Sequence, residues 1–270
     1  MSVLSPIRVV ELLFESQSVV LRRALAAATF SLGLLAASNA TALTHREAIA
    51  VFDAVLAVHV TDGSVDYDAI ASDGRYSTFI DWLADAEPDT LADDTEQLAF
   101  WINAYNALSI KGILDGGSPR SLFGRARFFK SKRYRVAGRQ LTLDQIEKDI
   151  IIPFGEPRIH FAIVCSSASC PKLQSAAYTP DSLDTQLDRA TRDFLNDSDK
   201  NYYDPDANRL NLSKIFDWFD KDFVAAAGSV PAYVGPYLDD PAERKAVSTG
   251  SPSVRFLRYD WSLNGSFNGR

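Results

Sequence analysis

From Leu98 to Ile110 the chain reads Leu-Ala-Phe-Trp-Ile-Asn-Ala-Tyr-Asn-Ala-Leu-Ser-Ile. Wound as a helix, this segment is apolar almost all round, and a helix without a polar face must be wrapped by other elements. Residues 91–114 therefore predict a central, buried helix. Asn103 and Asn106 lie three positions apart and share one face of it. Buried amides need partners, so the pair either lines a pocket or ties down neighbouring backbone.

A second segment concentrates the reactive groups. Residues 157–171 read Pro-Arg-Ile-His-Phe-Ala-Ile-Val-Cys-Ser-Ser-Ala-Ser-Cys-Pro and hold both cysteines and one of the three histidines. The apolar run Phe161 to Val164 predicts a buried strand that begins beside His160 and leads into a loop of small hydroxyl residues. Such loops at the ends of apolar elements commonly carry function. The backbone N–H groups of Ser166 to Ser169 offer an anion nest next to either thiol.

The N-terminus reads as an export signal. Arg22 and Arg23 precede a short apolar run, Ala24 to Ala37, and Ala40-Thr41-Ala42 fits a small-x-small cleavage site. Cleavage is expected after Ala42, leaving residues 43–270 as one globular domain that is periplasmic or secreted, without stable membrane insertion. That portion has 25 basic and 33 acidic residues, a net charge of −8. An acidic balance of this size disfavours general binding of nucleic acid or anionic lipid. Two cysteines in an exported chain raise the question of a disulfide. With four residues between them, a bridge would shape a loop more than hold a fold.

The remaining elements follow from periodicity and caps. Residues 44–60 predict a helix with Thr44 and Glu47 as a capping box. His59, near its end, is expected to be structural or exposed. Residues 65–70 read as a connector and 79–86 as a helix stopped before Pro88. Residues 120–139 carry eight basic side chains and no acidic one. They are read as the solvated face of a hairpin turning at Ala137-Gly138, with a polyanion surface as the other reading. Helices are expected at 143–152, which carries Glu147, at 182–195, and from Ser213 to 227. Strands are expected at 209–212 and 253–259. Asp197-Ser198-Asp199-Lys200-Asn201 lacks the Gly and Glu of a calcium loop, having Tyr202 and Asn208 there, and reads as a surface turn. Together these elements predict a single α+β domain, helix-rich and packed on a small, mostly antiparallel sheet.

Five ordered pieces resemble the family called domain of unknown function 547. They are Phe100-Trp101-Ile102-Asn103-Ala104-Tyr105-Asn106-Ala107; Leu143-Asp144-Gln145-Ile146-Glu147; Pro157 to Ala162 with Cys165 and Cys170-Pro171; Phe216-Asp217-Trp218-Phe219 with Asp222-Phe223; and Tyr259-Asp260-Trp261-Ser262-Leu263-Asn264. Members of that family often carry His after the Glu of the second piece, where this chain has Lys148. The resemblance implies no single reaction.

The catalytic candidates are Cys165, Cys170, His160 and Glu147. A thiol nucleophile needs a base, and the base needs a third group to orient it. His160 and Cys165 are five apart, so on a regular strand they point to opposite faces, and Cys170 folds back more freely. The binding candidates are Asn103, Asn106, Arg158 and Asp260. One His and two Cys fall one ligand short of a closed zinc site, no Gly-x-Ser-x-Gly turn is present, and no cofactor is called for. Three functions fit these residues. The first is a binding or scaffold module for an unknown ligand or protein partner, with a cleft around His160 and the cysteine loop. The second is a cysteine-dependent hydrolase or acyltransferase with His160 as base. The third is a thiol–disulfide redox protein, although the Cys-x-x-Cys spacing usual for that role is missing.

Overall fold

The computed structural model describes residues 43–269. The expected signal segment and its cleavage site at Ala42 lie outside the described residues. The first helix, α1 (His45–His59), starts at Thr44, whose hydroxyl accepts from the Glu47 N–H while Glu47 accepts from the Thr44 N–H, the reciprocal cap that the sequence suggests. At its far end the His59 ring bonds Asp73 at 2.9 Å. A tight hairpin follows, β1 (Val60–Thr61) and β2 (Ser64–Asp66), then α2 (Tyr67–Ser72), so the connector expected at 65–70 is ordered as the end of β2 and most of α2. Asp66 and Asp73 each cap the helix that follows, α2 and α3 (Gly74–Asp85) respectively.

Helix α4 (Asp94–Leu114) is the axis of the larger core, and every residue from Leu98 to Ile110 is buried. Its Phe100 and Trp101 join Phe52 of α1 and Phe79 of α3 in one apolar cluster. Next come α5 (Leu122–Arg125) with a π turn over Ala126–Ser131, and the hairpin β3 (Tyr134–Val136) and β4 (Arg139–Leu141). The hairpin turns at Ala137-Gly138 as expected, both with positive φ. Only the second half of the basic segment is hairpin, because Ser121 caps a helical turn in the first half. The Glu147 helix is α6 (Leu143–Gln145), continued by a second π turn over Ile146–Ile151.

The expected strand at Phe161–Val164 is absent. Pro157 starts a 3-10 helix, Pro157–Phe161, in which Glu156 caps the Arg158 N–H. Phe161 to Val164 are buried as expected, but a short apolar run has no period that separates a strand from a buried turn. The backbone beyond it pairs with a side chain instead of a strand. Asn106 donates to Ala162 O at 2.9 Å and accepts from Val164 N at 2.8 Å.

A second apolar cluster is built from α7 (Leu183–Leu195), β5 (Tyr202–Asp204), β6 (Arg209–Leu212), α8 (Ile215–Trp218), α9 (Asp220–Ala227), α10 (Val230–Val234), α11 (Pro241–Thr249) and β7 (Ser253–Phe256). Phe161 belongs to this cluster, whereas Ile159 and Ala162 belong to the first. The His160 segment is therefore the seam between them. The chain is α+β as expected, with its strands divided among small sheets. Sheet β1-β2-β8 (β8 is Gly265–Ser266) and sheet β5-β6-β7 each mix one antiparallel and one parallel pair, and β3-β4 stands apart. Gly265 has no substitute, because a Cβ there would sit 2.0 Å from Val65 O in the parallel pairing.

Replacing Asn106 with Ala should leave the Ala162 carbonyl and the Val164 amide buried without partners and cost about 2–4 kcal/mol. Urea unfolding midpoints check this. A loss under about 0.5 kcal/mol would show that the seam holds without the amide.

Candidate functional site

Cys165 and Cys170 are bonded to each other, with Cα atoms 6.1 Å apart. The loop they close has Ser166 in the left-handed region at φ 59°, held by a 2.9 Å contact between the hydroxyls of Ser166 and Ser109 of α4. The C-terminal segment lies along the outside of the loop. Ala168 N donates to Ser262 O at 2.7 Å, Ser169 N to Asp260 O at 3.2 Å, and Cys170 N to Ser167 O at 3.0 Å. The N–H groups of Ala168 and Ser169, two of the four in the anion nest expected at Ser166–Ser169, are thereby taken up by the C-terminal segment. Tyr259 brings its hydroxyl to 3.1 Å from Cys165 Sγ and 3.2 Å from Cys170 Sγ and accepts from the Ser167 hydroxyl at 3.2 Å.

The bridge forms part of the wall of a cavity of about 460 Å³. Beside it stands an aromatic group, Trp218, Tyr259 and Trp261, with ring centroids 4.6–5.7 Å apart. Phe129 and Phe219 extend this wall, and the Arg125 guanidinium lies over the Trp261 ring at 4.6 Å. Both π turns feed the cavity, one with Ala126, Phe129 and Lys130, the other with Glu147 and Lys148. Wider turns of this kind re-aim side chains and recur at functional sites.

Two groups in the wall have shifted protonation. Loss of water pushes the Glu147 carboxyl up to about 7, with neighbouring Lys148 opposing the shift and Asp144 adding to it. The Tyr105 hydroxyl donates to Glu147 Oε2 across a long 3.5 Å. Burial lowers the His160 imidazole below its ordinary range, and the Asp222 carboxylate opposes this. The neutral ring stacks on Phe219 at 4.0 Å and donates from Nε2 to Asp222 Oδ2 at 2.7 Å. Its Nδ1 is buried with no partner among the described residues.

The structure thus brings together Cys165, Cys170, His160 and Glu147 on one cavity. The four residues expected to bind are elsewhere. Asn103 is taken up by the backbone of Tyr178, at 2.7 and 2.9 Å, and Asn106 by the seam, so both amides tie down backbone and neither lines the cavity. Arg158 pairs with Glu156 and Asp184 at 2.7 and 2.8 Å and lines a separate groove beside Tyr233 and Tyr237. Asp260 is exposed and holds the loop through backbone bonds to Ser169. Tyr105, Trp218, Tyr259 and Trp261 were missed as site residues. Each sits in one of the motif pieces that carry the family resemblance, which was the available signal. Lys148, standing where relatives often have His, pairs with Asp144 at 2.7 Å on the same wall. Among the described residues no group of three or more His, Cys, Asp and Glu side chains is arranged to hold a metal ion.

The family model described as "Protein of unknown function, DUF547" matches residues 88–195, the family that the motifs resemble. That span contains α4, Glu147, His160 and both cysteines. Trp218, Tyr259 and Trp261 lie beyond it. No curated protein and no solved structure matches the chain.

Glu147 ties stability to pH. Its carboxyl titrates near 4.5 when solvated and about 7 in the fold. The folded state therefore holds the proton more tightly, and stability falls as pH rises from about 4.5 and levels off above about 7. The full penalty is on the order of 3 kcal/mol. Glu147→Gln should be nearly neutral at pH 4 and stabilising at pH 8. Equal effects in urea unfolding at the two pH values would contradict the shift.

Proposed function

We propose that the domain is an exported binding module whose ligand occupies the cavity lined by the Cys165–Cys170 bridge and the aromatic group Trp218, Tyr259 and Trp261. The observation that carries this reading is the cavity itself, concave, mainly apolar with several aromatic side chains and furnished with a few polar groups, which is the usual make-up of a small-molecule site. The aromatic faces suit a flat or apolar body. Arg125, Lys130 and Lys148 line the same space and favour a single anionic group. Glu147, protonated for about half the time near pH 7, donates a hydrogen bond to an acceptor on the ligand.

A cysteine hydrolase fits less well. Both sulfurs are consumed by their mutual bond, and the Ala168 and Ser169 N–H groups, which could otherwise stabilise an oxyanion, are bonded to the C-terminal segment. Thiol–disulfide exchange is the second reading, favoured by the bridge facing the cavity. A Cys165→Ser/Cys170→Ser variant separates the two, since binding survives it and exchange does not.

The first test is a titration with 8-anilinonaphthalene-1-sulfonate, an aromatic probe with one anionic group. One saturable site is expected, and Trp261→Ala should weaken it about tenfold, the loss of one aromatic contact in a buried site. Probe binding that does not saturate, or that ignores Trp261→Ala, overturns the assignment.

A further inference from the structure

The lip of the cavity carries the two most exposed large apolar side chains among the described residues, Leu122 at 72% and Phe123 at 87%. They are adjacent on α5. A Cβ on Gly124 would sit 2.3 Å from Ser118 O, so this turn lies tight against the preceding backbone and presents a firm tip. Trp218, 43% exposed, lines the same cavity. Folding gains nothing from holding apolar side chains in water, and clustering at one opening distinguishes these from the scattered exposed residues of an ordinary surface.

The segment that carries the tip has charges of one sign. No acidic residue occurs between Asp115 and Asp144. Lys132 and Arg135 of this stretch are paired, with Asp115 and Asp85. Arg120, Arg127 and Lys130 are exposed and form no ion pair among the described residues. Residues 43–270 as a whole carry a charge of −8, so an anionic surface is favoured at this local excess of cations over the chain as a whole. A firm apolar tip ringed by unpaired cations matches a layer that has anionic headgroups outside and hydrocarbon beneath.

We propose that residues 120–130 dock the domain reversibly on an anionic lipid surface, with Phe123 and Leu122 inserted among the headgroups and the cavity mouth at the interface. Leu122, Arg125, Ala126, Phe129 and Lys130 line the cavity, whereas Phe123 and Arg127 do not. The docking surface and the cavity wall are thus two sides of one segment. Attachment of this kind needs no spanning helix, and no helix among the described residues is long and apolar enough to cross a membrane. The inference rests on the surface and holds whether or not the cavity is occupied.

Co-sedimentation of the full chain with vesicles tests it, comparing phosphatidylglycerol/phosphatidylcholine mixtures with phosphatidylcholine alone. Wild type should bind the anionic vesicles, less so as salt is raised. Phe123→Ser should weaken binding about tenfold, and Arg120→Gln/Arg127→Gln about fivefold per charge removed. Residues 1–42 are common to all the variants, so the differences between them report the lip alone. None of the substituted residues lines the cavity, so uptake of the sulfonate probe should be unchanged, and either reading can fail without the other. Vesicle binding equal in wild type and both variants, or no binding at low salt, overturns the proposal. Self-association in solution that Phe123→Ser abolishes overturns it in favour of a second copy, and binding to an acidic protein instead of vesicles overturns it in favour of a protein partner.

Discussion

The fold depends on one side chain standing in for a strand. Asn106, at the centre of a helix buried on every side, satisfies both the carbonyl of Ala162 and the amide of Val164. Without it the segment that joins the two apolar clusters would bury unpaired backbone in a place no neighbouring strand reaches. Asn103 does the same for Tyr178. The helix thus serves as a spine with two amide clamps, one of which sets the position of His160 and the start of the cysteine loop.

The cavity is then closed from outside. Residues 260–264 run along the loop and hold it by backbone bonds, and Gly265 pairs with β2. Tyr259, delivered by the same segment, reaches both sulfurs. Two polar groups in the wall are pushed by burial toward neutrality, Glu147 by gaining a proton and His160 by losing one. A wall of this kind suits recognition of a mostly apolar molecule, and the exposed tip on α5 gives the opening an apolar approach.

Much of the scaffold was legible in the sequence. The all-round apolar helix, the Thr44–Glu47 capping box, the turn at Ala137-Gly138 and the amphipathic α7 are local signals, and each appears where residue chemistry places it. The site was legible in part. Cys165, Cys170, His160 and Glu147 meet on one cavity, since a loop of small residues beside a buried run tends to frame such a space. The Phe161–Val164 strand was misread because its apparent partner is a side chain 58 residues away, which no periodicity reveals. Trp218 and Trp261 were read as motif residues without a role, since contact across 43 positions of sequence is set by tertiary packing. Asn103 and Asn106 were correctly placed as buried, and their partners were beyond reach of the sequence for the same reason.

The bridge between Cys165 and Cys170 bears most on what the cavity can do, because it removes the nucleophile and sets the wall. Alkylation of the native protein followed by intact-mass measurement, without and with prior reduction, tests it directly. The account predicts no adduct before reduction and two after it. Two adducts on the unreduced protein would contradict it, free the thiols beside Glu147 and His160, and turn the cavity into a candidate catalytic site.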